Sequence, residues 1–157
     1  MSEKTWRVYL SGEIHTDWRE RIAQGVADAD LPVRLDGPVC VHEDSDDCAA
    51  AILGAEDKKF WHDHKAAKMN AIRIRTRTLI SEADIVVARF GDKYRQWNAA
   101  FDAGTAAALG KALISLHDAP LTHALKEVDG AASAVCETPE QVVQTLAYVI
   151  RGQMPSN

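Results

Sequence analysis

Residues 83–117, ADIVVARFGDKYRQWNAAFDAGTAAALGKALISLH, read as strand, polar loop, helix and strand. The apolar run over 84–90 has strand length and is continuous enough to be buried on both faces. The helix over 96–109 is built from small residues, and Ala99, Ala100, Ala103, Ala107 and Ala108 permit close packing. Asp102 is the one charged residue in it, with Asn98 a turn earlier on the same face and Thr105, Ala106 and Leu109 extending that face inward. Burying an unpaired carboxylate is costly, so Asp102 either faces a pocket or is paired with Arg or Lys from another helix. A pocket here has a function: open α/β sheets bind ligands beyond the carboxyl ends of their strands.

The alternation continues in both directions. A strand is expected over 6–11, then a helix over 16–29 with Trp18, Ile22, Val26 and Ala29 at helical spacing and Thr16 as its N-cap. A second strand over 32–41 is interrupted by Gly37 and Pro38, and the acidic stretch HEDSDDC (42–48) is expected as a solvated loop. A long helix is expected over 57–83, although IRIRTRT (72–78) alternates with a period of two. Strands over 112–117 and 133–137 enclose a helix over 121–129. The last helix, 139–150, has Thr138 as N-cap, Pro139 at its first position and Gln141 to complete a capping box. Its core face is Val142, Val143, Leu146, Val149 and Ile150, and the tail 151–157 is frayed or used in a subunit contact.

Five strands alternating with helices imply an α/β fold, a doubly wound parallel sheet with helices on both faces. The flavodoxin-like strand order 2-1-3-4-5 is the simplest for five such units. It makes the loops after strands 1 and 3 neighbours. A length of 157 residues fits one domain, 1–157, with one core.

Composition excludes several classes. A net charge of −5 argues against a polymeric nucleic-acid partner, leaving Arg73, Arg75 and Arg77 as the one basic run. No apolar run approaches the roughly 20 residues that cross a bilayer, so no membrane partner is expected. Three cysteines (Cys40, Cys48, Cys136) without a CxxC pair suit a reducing compartment, and the N-terminus lacks a signal-peptide layout, so a cytoplasmic protein is expected. Cys40 and Cys136 are expected as small hydrophobes on buried strands. There is no G-x-G-x-x-G after strand 1 and no P-loop. His62 and His64, two apart on a helix, cannot share a metal, and the carboxylates of 42–48 lack calcium-loop spacing. No metal is expected.

Two loops hold the candidate chemistry. After strand 1, Ser11 and Gly12 lead to Glu13, His15 and, one turn on, Trp18. Gly12 lets the backbone approach a ligand; Glu13 and His15 are either solvated loop residues or functional groups. After strand 3 come Arg89, Gly91, Asp92, Tyr94, Gln96 and Trp97. The two aromatics offer a stacking surface for a base, with a core position the alternative for Trp97. An ionised Asp102 in a water-poor pocket could attack an electrophilic sugar carbon or hold an oxocarbenium-like transition state.

VYLSG (8–12), ADIVVARF (83–90) and DAGTAAALGKALI (102–114) resemble the nucleoside 2-deoxyribosyltransferase superfamily. The chain resembles that superfamily's YtoQ family over nearly its full length, most specifically in FWHDHKAAKMNAI, FGDKYRQWNAAFDAGTAAALGK and HALKEVD. The resemblance implies a flavodoxin-like fold, transfer or hydrolysis at the N-glycosidic bond of a small nucleoside or nucleotide, no cofactor, and a homo-oligomer (a dimer or larger) with shared sites. Aligning Gly104, Ala106, Ala108, Gly110 and Lys111 with the family pattern puts Asp102 where the superfamily has its nucleophilic Glu, and Tyr9 where it has a strand-1 tyrosine. Gln96 and Thr76 stand where it has aspartates, and the basic residues beside Thr76 suit a phosphate. The catalytic set is then Asp102, Tyr9, Glu13, His15 and Asn98: Asp102 at the anomeric carbon, Tyr9 and Asn98 orienting it, and Glu13 or His15 as acid at the leaving base. Ser11, Gly12, Trp18, Arg89, Gly91, Asp92 and Trp97 line the substrate, with Trp97 or Trp18 stacking on the base. The alternative is a non-catalytic nucleotide or sugar-phosphate binding module on the same fold, which the shortened acid favours.

Overall fold

In the computed structural model, which describes residues 2–54, 74–93 and 95–156, five parallel strands form one sheet in the order β2-β1-β3-β4-β5. They are β1 (Trp6–Gly12), β2 (Val33–Asp36), β3 (Ile85–Phe90), β4 (Ala112–His117) and β5 (Ala134–Cys136). The helices are α1 (Trp18–Asp28), α2 (His42–Asp46), α3 (Cys48–Leu53), α4 (Arg75–Glu82), α5 (Trp97–Ala108), α6 (Lys126–Ala131) and α7 (Pro139–Arg151), with a 3-10 turn at Ala119–Leu121. This is the doubly wound, flavodoxin-like arrangement expected from the alternation.

Strand alternation divides the core into two layers. Val8, Leu10, Ile85, Val87, Ile114 and Leu116 face α1 and α7, meeting Trp18, Ile22, Val26, Val142 and Leu146. Tyr9, Val86, Ala88, Phe90 and Leu113 face α4 and α5, meeting Ile80, Ala99, Ala103 and Ala106. Small residues make both layers tight. A Cβ at Gly25 would lie 2.7 Å from a methyl of Val143, so α1 approaches α7 through a position where a side chain would force Val143 to shift.

Several expectations are corrected. β2 stops at Asp36, because Pro38 cannot donate to a ladder, and Cys40 lies exposed beyond it; Cys136 is buried on β5. The acidic stretch is helical, as α2 and the start of α3, although mostly exposed. α1 begins at Trp18 with no side-chain cap, since Thr16 bonds Glu13 instead. The 121–129 helix is a 3-10 turn followed by α6. Leu109 and Val149 are exposed: α5 buries the 99/103/106 stripe, and Val149 falls at the edge of the 139/142/146 stripe of α7. Thr138 caps α7, its hydroxyl accepting the Gln141 N–H at 3.2 Å, while the Gln141 side chain accepts from Glu137 N–H rather than from the cap residue. Only the end of the 57–83 helix falls among the described residues, as α4; His62, His64, Arg73 and Tyr94 lie outside them. No helix among the described residues is long and apolar enough to cross a membrane.

Candidate functional site

The pairing of β1 with β3 sets Gly12 opposite Arg89. Gly12 has φ +122°, and a Cβ there would lie 2.1 Å from the Arg89 carbonyl oxygen. Only glycine fits this position. The chain then turns around the Glu13 carboxylate, which accepts the His15 N–H, the Thr16 N–H at 2.8 Å and the Thr16 hydroxyl at 2.6 Å. Trp18 Nε1 donates to the Glu13 carbonyl at 2.7 Å. The Arg19 guanidinium donates to the carbonyls of Leu10, Gly12 and Glu13 and lies 4.4 Å over the Trp18 ring. A half-buried cation thus ties off the end of β1. Burial pushes the Arg19 pKa down.

The loop after β3 is pinned by Gln96. Its side chain accepts from Gly91 N–H at 3.1 Å and donates to the Lys93 carbonyl at 2.7 Å. α5 starts at the next residue and presents Asn98 and Asp102 toward the loop after β1. A cleft of about 480 Å³ lies between the two loops, lined by Ser11, Gly12, Glu13, His15, Trp97, Asn98 and Asp102. Pro38 and Val39, with His42, Ser45 and Asp46 of α2, also line it. His42 Nε2 lies 3.1 Å from an Asp46 oxygen.

Asp102 is a half-buried charge in the wall of this cleft. Ser11 Oγ donates to its Oδ2 at 2.6 Å, and no cation among the described residues pairs with it. Burial pushes its pKa up to about 6, with the Ser11 hydroxyl pulling the other way. Tyr9 lies on the same face of β1, two residues before Ser11. Its hydroxyl is buried beside that of Thr76 without reaching hydrogen-bond geometry, and its pKa is pushed up to about 12, chiefly by burial. Glu13 behaves oppositely. Burial raises its pKa, but the Thr16 hydroxyl and the His15 and Thr16 N–H groups outweigh it and hold the carboxyl below its usual value.

Of the anticipated site residues, Ser11, Gly12, Glu13, His15, Trp97, Asn98 and Asp102 share the cleft. Five others sit elsewhere. Tyr9 is fully buried behind the cleft. Trp18 is a core residue with its ring edge bonded to the loop, so it offers no stacking face. Arg89 is carried on the α1/α7 face of β3, with Nη1 3.8 Å from Asp118. Gly91 and Asp92 line a neighbouring cleft of about 930 Å³ between the β3–α5 loop and α6. Trp97, 71% exposed, borders both clefts. Glu13 reaches the cleft, but a carboxyl held ionised by three donors is unsuited to giving up a proton. Of the basic run, Arg75 Nη1 donates to the Gly37 carbonyl at 2.8 Å.

Sequence reasoning missed Arg19 and the cleft wall made by α2. An arginine one place after a core tryptophan carries no signal that it folds back over strand carbonyls. The acidic composition of 42–48 concealed its helical turn. Among the described residues no three His, Cys, Asp or Glu side chains converge as a metal site.

Residues 9–150 match the family described as nucleoside 2-deoxyribosyltransferase YtoQ. The chain belongs to this family. YtoQ of Bacillus subtilis (strain 168) is 41% identical over 142 residues, spanning 90% of this chain and 95% of that protein. Three solved structures share the YtoQ-family chain's fold at low identity. A 2-deoxyribosyltransferase of Bacillus psychrosaccharolyticus aligns with TM-score 0.54 at 18% identity, over 89% of this chain and 95% of that one. The CMP N-glycosidase BcmB of Clostridium botulinum gives 0.52 at 14%, over 91% and 98%. A conserved protein of Enterococcus faecalis V583 gives 0.60 at 13%, over 93% and 99%.

Proposed function

We propose that this protein cleaves or transfers the N-glycosidic bond of a small nucleoside or nucleotide, with Asp102 acting at the anomeric carbon. The observation that carries this reading is Asp102 itself. It is a half-buried carboxylate at the wall of a cleft, bonded to one hydroxyl and to no cation among the described residues. A carboxylate held only to stabilise the fold would be paired or solvated. The solved relatives of this fold include a 2-deoxyribosyltransferase and a CMP N-glycosidase, which supports the same bond class here.

Ionised Asp102 attacks the anomeric carbon as the bond to the base nitrogen breaks, and the electron pair leaves with the base. His15 at the cleft wall supplies a proton to the departing nitrogen. The glycosyl–aspartyl ester is then released to water in hydrolysis or to a second base in transfer. Trp97 offers an exposed ring at the cleft border for stacking on the base. The reading includes a homo-oligomer, which light scattering checks against the chain mass of 17.2 kDa.

Chromatography of a panel of nucleosides and nucleoside monophosphates incubated with the protein tests this. Free base should appear for at least one compound and fall by about 100-fold or more in Asp102→Asn. Base release that survives the substitution removes the mechanism. A compound that stabilises the fold without being consumed selects the binding-module alternative.

A further inference from the structure

We propose that Ser11 is a positioning residue for Asp102: its hydroxyl occupies Oδ2, fixes the carboxylate rotamer and leaves Oδ1 as the oxygen that meets the substrate. This rests on the reading of Asp102 as the reacting carboxylate.

The contact is specific. Ser11 Oγ donates to Oδ2 at 2.6 Å, a charge-assisted length, across 91 residues of sequence. Ser11 is itself 1% exposed, and its backbone is set by the β1–β3 register opposite Ala88, so the donor cannot drift. Oδ1 makes no hydrogen bond among the described residues and is not among the buried unpartnered oxygens, while Asp102 lines the cleft. One oxygen is therefore tied and the other open.

The position suits the residue types. Aspartate is one methylene shorter than glutamate and has fewer rotamers with which to reach a substrate. A donor on the adjacent strand selects one of them. The residue two places earlier on the same face, Tyr9, leaves its hydroxyl without a hydrogen bond, so it does not supply this contact. An ionised carboxylate accepts from a hydroxyl more strongly than a neutral acid does, so the same contact also favours the reactive form.

The test needs no substrate. The protein labelled with 13C at aspartate carboxyls is titrated by NMR, with Asp102→Asn identifying the Asp102 resonance. Wild-type protein should show a midpoint near 6. Ser11→Ala should move that midpoint upward by about one pH unit, because it removes a donor to the charged form. Ser11→Thr, which keeps the hydroxyl, should restore it. Thermal melting confirms that each variant is folded. An unchanged midpoint in folded Ser11→Ala overturns the proposal. With a turned-over nucleoside in hand, Ser11→Ala should lower kcat about tenfold or more with little change in KM; a change confined to KM also overturns it. If no nucleoside is consumed by wild-type protein yet the midpoint moves, the proposed reaction fails and the Ser11–Asp102 linkage stands.

Discussion

At the residue scale, a single carboxylate links chemistry and stability. Asp102 must be ionised to attack a sugar carbon, and burial holds its pKa at about 6. Base release should therefore fall as pH drops through about 6, measured as kcat/KM across a pH series. The stability sign follows from linkage. The native carboxyl at about 6 binds its proton more tightly than the unfolded group at 3.8. This contribution is fully present below 3.8 and is lost as pH rises through 6. Asp102→Asn carries no charge to bury, so at pH 7.5 it should be more stable than wild type by on the order of 1–2 kcal/mol, the difference vanishing at pH values below the unfolded pKa. Denaturation at the two pH values checks this. Tyr9 gives a complementary case. Its hydroxyl is buried without a hydrogen bond, so Tyr9→Phe should leave stability within about 1 kcal/mol or raise it. If Tyr9 orients the reacting carboxylate, the same variant should lose turnover, which separates catalytic from structural use of the ring.

At the element scale, the site depends on how β1 leaves the sheet. Gly12 combines a positive φ with contact against the Arg89 carbonyl, so Gly12→Ala is strained and crowded at once. The expected loss exceeds about 1 kcal/mol and is read as a lower denaturation midpoint. Base release should fall further than stability alone accounts for, because Ser11 and Glu13 flank the displaced bond. The 13–19 segment shows why this turn holds its shape. Glu13 gathers three donors, and Arg19 donates to three carbonyls at and just beyond the end of β1, sharing that of Glu13 with Trp18 Nε1. Glu13 is thereby spent on the loop, which leaves His15 as the proton donor in the proposed reaction.

At the scale of the whole molecule, strand order brings the chemistry together. β1 lies beside β3, so two loops about 80 residues apart in sequence share one cleft at the switch point. A cleft of about 480 Å³ with Glu13, His15, Asn98 and Asp102 in its walls suits a single nucleoside or nucleotide rather than a polymer. In a thermal-shift panel, a nucleoside or nucleoside monophosphate at a hundredfold excess over its Kd should stabilise the fold by about 2.7 kcal/mol, and single-stranded nucleic acid should give no shift. Loss of the shift in Asp102→Ala or Asn98→Ala would place the ligand in this cleft rather than in the larger one beside α6.

Periodicity and punctuation alone determined the α/β class, the five strands, the cap on α7 and the isolation of Asp102 among alanines, and the strand order followed as the simplest for five such units. These are local signals: apolar runs of strand length, helical spacing, and a Thr-Pro start are written in neighbouring residues. The YtoQ-family motifs pointed to the same helix. Only the tertiary structure decided which side chains meet. It set Ser11 rather than Tyr9 against Asp102, sent Trp18 into the core and Arg89 to the opposite face, moved Asp92 to a second cleft, and folded 42–46 into a wall of the first. Such outcomes depend on strand register, on the direction a side chain takes from its backbone and on competition for hydrogen-bond donors. Each of these couples residues far apart in the chain, and no window of sequence contains both partners.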